Sequence, residues 1–74
     1  MSIESLLELA KELEKEGRLH DAAHEYLYLA AKLSHQNLEE CLKYLKKSEE
    51  LFEKIGDYSH IEVIKKYRDK VIKR

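Results

Sequence analysis

A chain of 74 residues is read as a single domain over 1–74, and its one cysteine, Cys41, excludes an intramolecular disulfide framework. The formal net charge of −1 gives no global attraction to nucleic acid. No apolar run approaches the roughly 20 residues of a bilayer span, and Met1-Ser2-Ile3-Glu4-Ser5 lacks the basic start of a secretory signal, so no membrane insertion and a cytoplasmic location are expected.

With no proline and only Gly17 and Gly56, the two glycines punctuate the chain. Ser2 is a suitable N-cap for a first helix over 3–16, whose residues Ile3, Leu6, Leu7, Ala10 and Leu13 share one face. Gly17 ends it as a left-handed cap. A second helix over 19–34 carries Leu19, Ala22, Ala23, Tyr26, Leu27, Leu29, Ala30, Ala31 and Leu33. They cover about 200° of its circumference, so it is expected to touch neighbours on two sides and to centre the fold. Asn37, with Glu40 three residues on, caps a third helix to about Ile55. Its apolar face is expected at Leu38, Cys41, Leu42, Leu45, Ser48, Phe52 and Ile55, which makes Cys41 a core residue rather than a nucleophile. Gly56-Asp57 breaks it, and a fourth helix over 58–73 is expected to use Ser59 and Glu62 as a capping box. Such short breaks fold neighbouring helices back on each other. The fold class is therefore all-α: four antiparallel helices in two hairpins, over 3–35 and 38–73.

The halves repeat. A shift of 39 residues superposes Leu6 on Leu45, Glu14-Lys15 on Glu53-Lys54, Gly17 on Gly56, Tyr28 on Tyr67, and Leu13 on Phe52. Charge does not repeat: residues 1–40 carry nine acids and four bases, residues 41–74 six acids and ten bases. That polarity suits head-to-tail contacts or one charged partner for each half.

These features resemble the tetratricopeptide-repeat superfamily of helical hairpins. The first unit offers Leu6, Ala10, Gly17, Ala22, Tyr26 and Ala30; the second offers Leu45, Phe52, Gly56-Asp57-Tyr58 and Ile61. The period exceeds the family's usual thirty-four residues, the closing proline is missing, and Ile61 and Glu49 stand where small residues are expected. The long hairpins are more similar to vesicle-fusion adaptor (SNAP-type) repeats. The resemblance implies a protein-binding scaffold. The lysine/asparagine clamp that some members use on terminal carboxylates is not reproduced at Leu7, Lys11 or Lys47. A second resemblance, carried by 15–23 and 44–51, is to the three-helix microtubule-interacting-and-trafficking (MIT) domain, which implies binding of tail peptides from membrane-remodelling filaments.

Candidate chemistry is sparse. His20-Asp21-Ala22-Ala23-His24 puts two imidazoles at i and i+4, the zincin spacing. His35 lies roughly 16 Å further up the helix and Glu25 points round it, so no third ligand is apparent and surface histidines are the reading. Arg18 and His24 have the spacing of HEPN-type ribonucleases, which leaves a small RNA-associated protein as the weaker alternative. No catalytic residue, metal or cofactor is expected. On the first helices of the two hairpins Lys11, Lys43, Lys46, Glu50 and Glu53 would line a concave surface, and Tyr28 on the polar side of the second helix is a further contact residue. Ile61, Val63, Ile64, Tyr67, Val71 and Ile72 span half the fourth helix, with Arg68 among them. A terminal helix packing only inward needs less, so Val63, Tyr67, Arg68 and Ile72 are expected to meet a partner or a second copy. Lys65, Lys66, Lys70, Lys73 and Arg74 form a basic strip without an aromatic platform for stacking bases. The expected partner is thus a protein or peptide, with a homodimer as the alternative; nucleic acid is disfavoured.

Overall fold

The computed structural model describes residues 2–73; Met1 and Arg74, the last member of the basic strip, lie outside them. Four helices follow one another: α1 (Ile3–Lys15), α2 (Leu19–Leu33), α3 (Leu38–Lys54) and α4 (Tyr58–Ile72). Each packs on the next in chain order, α2 most extensively because α1 and α3 cover it from either side.

Local chemistry sets the boundaries. Ser2 Oγ accepts the Ser5 N–H at 3.1 Å, and Asn37 Oδ1 accepts the Glu40 N–H at 3.0 Å, each satisfying an orphan donor of a first turn. The two hairpin turns are the same motif. In the first, the Arg18 N–H bonds the Leu13 carbonyl at 2.9 Å and the Gly17 N–H bonds that of Glu14 at 3.0 Å; in the second, Asp57 bonds Phe52 at 2.9 Å and Gly56 bonds Glu53 at 3.1 Å. This is the paired hydrogen bonding of a Schellman cap, with Gly17 at φ 81° and Gly56 at φ 75°. Thus the sequence repeat of 39 residues is also a repeat of backbone geometry.

The fourth helix corrects one expectation. Its N-cap is Asp57, whose Oδ1 accepts the His60 N–H at 3.2 Å, and Ser59 Oγ donates to the same oxygen at 3.0 Å instead of capping. The Schellman turn returns the chain to helix immediately after Gly56, so the capping position falls two residues before Ser59.

One apolar cluster runs through all four helices. Ala10, Ala22, Ala23 and Ala30 are fully buried, which lets helix backbones approach closely. Ala31, assigned to the wide apolar arc of α2, is exposed. On α3 the expected face also shifts. Leu38 and Ile55, at the two ends, are exposed, whereas Tyr44 and Leu51 are buried. Lying between α2 and α4, α3 needs two apolar stripes rather than one. Its buried Ser48 donates Oγ–H to the Ala23 carbonyl at 2.7 Å, so polarity in the core is matched across α2 and α3. Cys41 is fully buried. Among the described residues no helix is long and apolar enough to cross a membrane.

Candidate functional site

The hairpin packing sets α1 beside α3 and leaves a groove of about 560 Å³ between them. Leu7 of α1, Tyr26 of α2 and Tyr44 of α3 form its floor; Lys11, Lys43, Lys46 and Glu50 form its rim. Four of the five residues expected on a concave face therefore do meet, and the fifth, Glu53, lines an adjoining hollow that shares Lys47 and Glu50.

Glu14 organises the floor. Its Oε2 accepts from Lys47 Nζ at 2.7 Å and its Oε1 accepts from the Tyr26 hydroxyl at 3.0 Å, tying α1, α2 and α3 together. The Lys47 bond, aided by the Tyr26 hydroxyl, outweighs desolvation and holds the Glu14 carboxyl below the ordinary range. Burial and the Glu14 bond push the Tyr26 phenol up, so it stays a neutral donor. Tyr26 and Tyr44 stack with centroids 6.0 Å apart at 13°, and Lys43 Nζ lies 5.3 Å from the Tyr44 centroid. With Glu14 already paired to Lys47, the remaining charge is Lys11, Lys43 and Lys46 against Glu50. The groove is a positive, aromatic-floored surface on a protein of net charge −1.

The other expected contact residues lie elsewhere and apart. Arg68 is engaged in an ion pair with Glu49 that ties α4 to α3, and Tyr67 is half-buried against the core. Val63 and Ile72 are 57% and 55% exposed. Nine residues apart, they sit about 180° from each other, flanking the buried strip of Ile61, Ile64 and Val71 rather than joining in one patch. Tyr28 is exposed beside Lys32 and lines a shallow hollow with Leu9 and His24.

A second concentration of polar side chains was not foreseen. His20 and His24 meet His60 of α4: ring centroids are 4.6 Å apart for His20–His24, 4.8 Å for His24–His60 and 6.1 Å for His20–His60. The His60 ring stacks on buried Phe52 at 4.7 Å and 8°. Asp57 Oδ2 lies 2.7 Å from His60 Nδ1. Burial would raise the Asp57 carboxyl, but bonds from the His60 amide, Ser59 and the His60 ring more than offset it and hold the group low. The ionised carboxylate can only accept, so His60 Nδ1 carries the proton and donates. Burial, and then the two neighbouring imidazoles, push His24 below the usual histidine range. Sequence spacing could not reveal this cluster because His60 comes from the other hairpin. The repeat held the clue: the shift of 39 pairs His60 with Asp21, setting the first turns of α2 and α4 in register.

Comparison with protein-family models, with curated proteins and with solved structures returned no match.

Proposed function

We propose that this chain is a non-catalytic protein-interaction module whose α1–α3 groove takes an acidic peptide segment bearing an apolar or aromatic anchor. The observation that carries this reading is the groove itself. Lys11, Lys43 and Lys46 rim a floor of Leu7 and two stacked tyrosines. Lysines at a rim steer an acidic ligand and fix its register, while the floor supplies the apolar contact that retains it. The break at Gly56, with matching caps at both glycines, supports the two-hairpin, tetratricopeptide-like reading over the three-helix one.

Repeat arithmetic favours a groove ligand over stacking of copies end to end. The α2 residues Ala23 and Tyr26, which meet Ser48 and Tyr44 of α3, correspond on α4 to Glu62 and Lys65. Tyr44, Ser48 and Leu51 of α3 correspond on α1 to Ser5, Leu9 and Glu12. Both outer faces are thus largely polar where the inner faces are apolar.

Fluorescence anisotropy with a labelled peptide alternating Glu/Asp with Leu/Phe tests the reading. Binding should weaken with added salt and fall at least tenfold in Lys43→Glu/Lys46→Glu, both exposed positions. Equal binding by wild type and double variant would overturn it.

A further inference from the structure

The groove leaves the histidine cluster unexplained, and the two features are independent. We propose that His20, His24 and His60 form a three-imidazole site for a divalent transition-metal ion of the zinc class. Three observations combine. His20 and His24 stand one helical turn apart on one face of α2, the arrangement by which a helix presents two imidazoles to one ion. His60 supplies a third ring from a different helix, a half-chain away in sequence. Asp57 holds His60 Nδ1–H at 2.7 Å, directing Nε2 to be the ligating atom, and this carboxylate–histidine pairing is the usual outer support of a metal-bound histidine.

Spacing agrees with this assignment. With metal–nitrogen bonds of about 2.0–2.1 Å, three imidazoles on a tetrahedral ion place their ring centroids about 5 Å apart. The observed separations of 4.6, 4.8 and 6.1 Å bracket that value. As the rings stand, they meet edge to face, and no three His, Cys, Asp or Glu side chains among the described residues are placed to hold a metal ion. Closure requires ring rotation about χ2, a soft torsion, and His20 is exposed on its solvent side. An all-imidazole donor set selects zinc, nickel, cobalt or copper over calcium and magnesium, which need oxygen ligands. Three protein ligands leave a fourth position for water. The ion would bridge α2 to α4, helices that each pack more extensively on α3 than on one another.

Calorimetric titration of the 74-residue chain, carrying no affinity tag, with ZnCl2 at pH 7.5 tests the proposal. One ion per chain is expected, accompanied by a rise in the thermal midpoint. His60→Ala should bind at least tenfold more weakly, and His20→Ala, which alters an exposed side chain and leaves the core intact, should do the same. Asp57→Asn retains a good N-cap and should cost about tenfold through the outer support alone. Thermal unfolding without metal separates lost binding from lost folding. Failure of the wild type to bind, or binding by His60→Ala as tight as the wild type's, would overturn the proposal; the latter would mean the helix pair alone captures the ion.

Discussion

The two sides of this small protein are built by different means. The groove side, where α1 meets α3, is held by charge: Glu14 reaches Lys47 across the helices and takes the Tyr26 hydroxyl as well. The opposite side, where the first turns of α2 and α4 meet, is held by rings: Phe52 lies beneath His60 and against His24. On α3 the division is direct, because Lys43 and Phe52 are nine residues, about 180°, apart. A helix between two layers can thus offer a charged recognition surface on one face and an apolar support on the other. The comparison teaches that the repeat fixes the backbone while the side chains differentiate the faces.

The largest way to strain this picture is Phe52→Ala. Phe52 is fully buried beneath the histidines, and its truncation should cost about 3–5 kcal/mol in chemical unfolding. For a chain of this size that approaches the whole stability. A loss below about 1 kcal/mol would mean that the ring side is not a structural support. Next come the turns. Gly17→Ala and Gly56→Ala each place a side chain at positive φ, with no steric obstacle within 4 Å, so the cost should be backbone strain alone. Both should lose about 1–2 kcal/mol, and by similar amounts because the caps match. A large inequality would show that the two turns are not equivalent.

Smaller effects sharpen the groove side. Glu14→Gln should cost about 1 kcal/mol, because the half-exposed pair with Lys47 is lost while an amide can still accept from Tyr26. The pH dependence has a definite sign. The folded Glu14 carboxyl is held below its unfolded value, so its contribution is fully present above that ordinary range, near pH 4.5, and is lost as pH falls through the lowered folded value. Wild-type stability should therefore decline on acidification below about pH 4.5 more steeply than that of Glu14→Gln, read as urea midpoints across pH 3–6. Parallel curves would remove Glu14 from the account.

Much of the backbone was legible in sequence. Two glycines, the Ser2 and Asn37 caps, and helical periodicity place four helices within a residue of their observed ends. Asp57 was not legible as a cap, since Ser59 offers the same chemistry and only the turn geometry decides between them. The groove lysines could be foreseen from the repeat, but the Glu14 bridge could not, because it requires knowing which α1 residue faces Lys47. Val63 and Ile72 stood out as surplus apolar residues; their angular separation on α4 divides them into two flanks. His60 was not legible as a partner of His24 for the same reason as the Glu14 bridge: helical spacing speaks within one helix, whereas both features join two.

The reading of the groove is tested most directly by amide chemical-shift mapping during titration with the acidic peptide. Shifts concentrated at Leu7, Lys11, Tyr44, Lys46 and Glu50, fading as salt is added, are the expected result. Shifts confined to α4 or to the histidine side, with the groove amides unmoved, would contradict it.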